Sequence, residues 1–131
     1  MKILGALTEL NPEIAAAVPI AAAAGGLDQS IKKLVTRYLS HGTCVLDVME
    51  ASPDPRQPGA SIAGGASLLT DGVWSWRADL VAYIEAYSIA LPPAFLESVL
   101  LSNGKPQTPE LHASIIQQVA AAWGWPNPFS A

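Results

Sequence analysis

Charge is scarce in this 131-residue chain: 14% of its residues are charged while half are hydrophobic. A disordered chain needs the opposite balance, so the sequence must fold. Basic residues are the scarcest, seven in all with a net charge of −4. Only Lys32, Lys33 and Arg37 fall close together, too few for a stripe that tracks phosphates, and no nucleic-acid partner is expected. The single cysteine, Cys44, excludes an intrachain disulfide; it lies in an apolar run, where a small buried hydrophobe in a reducing compartment is the expected role. His41 and His112 stand apart, short of the several ligands a zinc site needs, so neither metal nor cofactor is expected. Long apolar runs are missing too. The uncharged stretch 14–27 is too short to cross a bilayer, and Glu9, Asn11, Pro12 and Glu13 break up what would be a signal-peptide core. The expectation is a cytoplasmic protein without a membrane partner.

What is present is punctuation. Asn11, Pro12 and Glu13 read as cap, first position and first-turn acid of an alanine-rich helix that Pro19 divides and Gly25–Gly26 end. Leu27 to His41 places Ile31, Leu34, Val35, Tyr38 and Leu39 on one face, with Asp28 at the start and Gly42 as the stop. Thr43 to Glu50 reads as a strand. Three prolines between Ser52 and Pro58 force a long loop that runs on to Ala66. Ser67 to Thr70 and Val73 to Trp76 flank Asp71–Gly72, a hairpin signature. Helices are then expected from Arg77 to Tyr87, from Pro92–Pro93 to Asn103–Gly104, and from Thr108–Pro109–Glu110 to Gly124. The sum is one α+β domain over residues 1–131, its helices packed with a small three-stranded antiparallel β-meander.

Chemistry is thinly supplied. Cys44 and His112 are the available nucleophile and base, but no third residue is set to orient them. The Gly59–Ser67 loop lacks the Lys-Ser/Thr ending of a phosphate loop and the Gly-x-Ser-x-Gly of a nucleophile elbow. Asp47, Glu50 and Asp54 form an acidic edge. Trp74 and Trp76 share a strand face, and Tyr83 and Tyr87 share a helix face, giving either core or an aromatic platform for a partner. Trp123, Trp125 and Phe129 either pack the tail down or leave a patch for self-association, a homodimer among the outcomes.

The stretch Asp71-Gly72-Val73-Trp74-Ser75-Trp76-Arg77-Ala78-Asp79-Leu80, followed by Tyr83, Tyr87, Leu91-Pro92 and Phe95-Leu96, spans about a fifth of the chain and resembles a pattern of small bacterial proteins similar to immunity-type proteins, which neutralise a toxin delivered between bacteria. The resemblance implies a protein partner and no enzymatic activity. Two readings follow. The first is a protein-binding protein, an immunity protein that blocks a toxin through Asp47, Glu50, Asp54, Asp71, Trp74 and Trp76. The alternative is a small-molecule-binding or enzymatic domain with a pocket between the aromatic helix and the proline-rich loop, using His112 or Asp71 as its polar group.

Overall fold

Asp28 accepts a hydrogen bond from the Ser30 backbone N–H at 2.9 Å, satisfying one of the orphan donors that begin any helix. In the computed structural model, which describes residues 1–129, that cap opens α2 (Gln29–Ser40), whose buried residues are Val35, Tyr38 and Leu39. It follows β1 (Lys2–Ile3) and α1 (Ile20–Ala23) and precedes β2 (Thr43–Leu46), β3 (Ser52–Pro53), β4 (Ser61–Ile62), β5 (Leu68–Thr70), β6 (Trp74–Arg77), α3 (Leu80–Tyr87), α4 (Pro93–Leu101) and α5 (Ala113–Ala122).

The main sheet is mixed and four-stranded, in the order β1-β6-β5-β2, with β3 and β4 paired as a separate two-stranded ladder. The antiparallel run β2-β5-β6 is the expected meander. It is not the whole sheet, because β1 adds to β6 in parallel, with Lys2 opposite Trp74 and Ile3 opposite Ser75. A bulge between Cys44 and Leu46 breaks the alternation of β2, and Cys44 is exposed rather than buried.

Alternation along β6 sends its side chains to two cores. Trp74 and Trp76 join Leu39, Tyr38, Ile84, Phe95 and Val99 beneath α2, α3 and α4. On the other face, Ser75 accepts a hydrogen bond from Trp123 Nε1 at 3.0 Å, where Trp123 and Val119 of the α5 region pack with Leu68, Ala6 and Ile14. Helices therefore cover both faces of the sheet.

Three expectations from sequence are corrected. No helix starts at Pro12: residues 12–17 form turns, Leu7 bridges Val18, and α1 begins only after Pro19. Residue 18 must be extended ahead of a proline, and the Glu9 carboxylate caps the new start by accepting from the Ile20 N–H at 3.0 and 3.2 Å. The segment 52–66 is not all loop, since β3 and β4 pair Ser52 with Ile62 and Pro53 with Ser61; proline is tolerated on so short an edge. The last helix starts at Ala113 rather than Thr108, and residues 105–112 carry no regular structure.

Candidate functional site

The Asp71–Gly72 turn is built by its own side chains. Asp71 Oδ1 accepts from the backbone N–H groups of Val73 at 2.9 Å and Trp74 at 2.7 Å, and Gly72 adopts a φ of +97° that favours glycine. Thr70 Oγ1 donates to the Trp74 carbonyl at 2.7 Å and accepts from the Gly72 N–H at 3.0 Å. On the far side of Asp71, Oδ2 accepts the Tyr38 hydroxyl proton. Burial first, and then this carboxylate, push the Tyr38 phenol well above its ordinary value.

This turn forms one wall of a groove of about 350 Å³, whose other wall is the end of α4 with Ser98, Leu101 and Ser102. Buried Tyr38 and Asp71 make its floor, and Lys105 and Gln107 its rim. Trp74 is held in place by Phe95, edge-on at 5.8 Å, and by Lys2, whose ammonium lies 5.1 Å from the indole centroid. At the lip, Val73 is exposed and Leu101 is 82% exposed.

The six residues singled out from sequence do not form one surface. Trp76 is fully buried, its Nε1 donating to the Leu39 carbonyl at 3.1 Å. Asp71 and Trp74 sit at the turn end of the sheet. Asp47 follows Leu46, which pairs with Leu68 at the opposite end of β5, and it accepts from Ser67 Oγ at 3.3 Å. Glu50 is exposed and makes no hydrogen bond or ion pair among the described residues. Asp54 is occupied by Arg56, which also reaches Glu85 at 2.8 Å; the Arg56 side-chain and backbone hydrogen bonds hold the Asp54 carboxyl below the usual carboxylate value.

A hollow does lie between the proline-rich segment and α3, about 300 Å³ and lined by Arg56, Ile62, Asp79 and Val81 among others. Its polar groups are not the expected ones: Asp71 belongs to the other groove, and His112 lies outside the lining of all five cavities described, paired with Glu110 at the surface. Asp79, 1% exposed along its side chain, is committed to Arg77 at 2.8 Å and to the Ser52 hydroxyl at 3.0 Å. It therefore does not cap α3 with its side chain. Among the described residues, no group of three or more His, Cys, Asp or Glu is placed to hold a metal ion, and no helix is long and apolar enough to cross a membrane.

Sequence reasoning placed Tyr38 on a helix face and Val73 in the hairpin but missed both as groove residues, and it missed Leu101 and Lys105 altogether. Leu101 carried a signal: it lies off the helical face that Phe95 and Val99 bury, so an apolar side chain there has no core to enter. No protein-family model, curated protein or solved structure matches the chain.

Proposed function

We propose that this chain is a non-enzymatic protein-binding protein that engages its partner through the groove between the 71–74 turn and α4. The observation that carries this reading is the pair of exposed apolar side chains, Val73 and Leu101, at the lip of a groove whose polar floor is already hydrogen-bonded within the chain. Large apolar side chains held over a rigid base are what interface anchors require. The groove wall is drawn from the same motif that resembles immunity-type proteins, so a bacterial toxin is the first partner class to test and the cytoplasm of the producing cell the expected place of action.

The test is titration calorimetry of the purified chain against the products of the genes beside its own. One of them is expected to bind with a Kd of about 1 μM or tighter, and Leu101→Asp to weaken that complex at least about tenfold. Failure of every neighbouring product to bind, or an interface indifferent to Leu101→Asp, overturns the reading.

A further inference from the structure

Between Gln29 and Ser40 the helix α2 carries no acidic residue. Lys33, Arg37 and the C-capping His41 follow one another at intervals of four, which stacks them along one side of the helix about 6 Å apart. His41 is fixed there, since its Nδ1 lies 2.8 Å from the Arg37 carbonyl and donates to it. The line ends at a hollow of about 410 Å³ lined by Arg37, His41 and Lys105, with Gly104, Pro106 and Thr108. Lys105 lines this hollow and the groove beside the 71–74 turn alike, so the two adjoin at its side chain.

Lys33, Arg37 and Lys105 are exposed, and among the described residues none of the three enters an ion pair, whereas Arg56 and Arg77 both do. Complementing the helix dipole accounts for Arg37, in the last turn of α2. It does not account for Lys33, in the half of the helix where a cation gains nothing, or for Lys105, beyond α4. In a chain of net charge −4, Arg37 and Lys105 line a hollow whose lining holds no acidic residue, while Lys33, one turn back, shares a hollow with Lys32 and Glu85.

We infer that this ridge and the adjoining groove together take an acidic peptide segment of the partner: carboxylates settle along Lys33, Arg37 and Lys105, and an apolar side chain seats against Val73 and Leu101. The inference rests on the groove being the partner surface, and it adds the sign of the partner's charge. A polynucleotide fits less well, because single-strand binding needs open aromatic faces for stacking, and the Trp74 ring is taken up by Phe95 and Lys2.

Fluorescence anisotropy with three labelled probes decides it: a short Glu/Asp-rich peptide with a central Phe, the same peptide with Lys at every acid, and oligothymidine. The acidic peptide is expected to bind at least about tenfold tighter than the other two, to weaken as salt rises from about 0.02 M to about 0.3 M, and to lose about tenfold on Arg37→Glu or Lys105→Glu. Circular dichroism of each variant confirms that it is folded. Equal binding of both peptides, tighter binding of oligothymidine, no salt response, or no binding overturns the inference. If charge reversal is silent while Leu101→Asp still weakens the natural complex, the inference fails alone. If Leu101→Asp leaves the acidic peptide bound as tightly as before, the groove reading fails with it.

Discussion

The Tyr38 hydroxyl donates to Asp71 Oδ2 at 2.5 Å, joining α2 to the β5–β6 turn across 33 residues of sequence. Asp71 is the pivot of that turn, so the phenol secures the wall of the groove from behind. Tyr38→Phe keeps the ring that meets Phe95 edge-on at 5.3 Å and deletes only the donor. It is expected to lower the unfolding free energy by about 1.5–3 kcal/mol, the usual worth of a hydrogen bond to a charged acceptor. Urea denaturation with an unchanged m-value checks this; a midpoint equal to wild type rules it out.

The same contact sets a pH response. The folded-state pKa of Tyr38 is raised, by burial and then by Asp71, and that of Tyr83 is raised by burial and then by Asp79. A group whose pKa rises on folding contributes stability that is complete below its unfolded value and is lost as pH climbs toward the folded one. Stability should therefore decline above about pH 10, the unfolded tyrosine value. The decline should be shallower in Tyr38→Phe, and parallel slopes for the two proteins would refute the assignment.

Arg77 and Asp79 form a bidentate pair at 3.0 and 2.8 Å, and Arg77 Nη1 also donates to Asn11 Oδ1 at 3.1 Å. Asp79→Ala leaves the part-buried Arg77 guanidinium with Asn11 alone and the buried Ser52 hydroxyl without its acceptor, so it should cost about 3–5 kcal/mol. Arg56→Ala breaks a bridge with 42% of its side chain exposed, and its effect should fall within the scatter of ordinary surface substitutions. Thermal unfolding of both variants tests the ordering, which a larger loss from Arg56→Ala would reverse.

Gly42 lets the backbone pass against the Trp76 ring: a Cβ there would lie 2.4 Å from Cζ2 and 3.2 Å from Leu69 Cβ. Gly42→Ala should destabilise by about 1–3 kcal/mol through overpacking. In a double-mutant cycle with Trp76→Phe the two losses should sum to more than the double variant shows, because the smaller ring relieves the clash. Strict additivity would mean that the alanine is accommodated elsewhere.

Cys44 is exposed on β2, yet partial burial of its sulfur and then the Asp47 carboxylate hold its thiol above the ordinary value. Alkylation near neutral pH should run slower than for free cysteine, since the thiolate reacts. Asp47→Asn should quicken it, and an unchanged rate would remove Asp47 from the account.

Elements with strong local punctuation were readable from residues alone. Asp28 caps α2, Pro92–Pro93 start α4, and Asp71–Gly72 turn the hairpin. The N-terminal region was not readable in this way, because alanine propensity favoured a helix that Ile14 and Ala23 refused by entering two different cores; tertiary burial outweighs propensities of tenths of a kilocalorie. The 105–112 stretch misled similarly. Thr108-Pro109-Glu110 has the order of a helix start, yet Pro109 lies across the turn, 3.5 Å from where a Gly72 Cβ would stand. The groove was hidden because Tyr38, Val73 and the 101–105 stretch come from three separate segments, and no spacing rule relates them.

The parallel pairing of Lys2 with Trp74 sets a schedule for synthesis. β1 is made about 70 residues before its partner, so it has nothing to bind until β6 has followed it out, and β6 in turn needs β5 beside it. During translation β1 must wait unpaired, with Leu4 and Leu7 still wet, and closure of the sheet edge becomes a late, long-range step that slows folding.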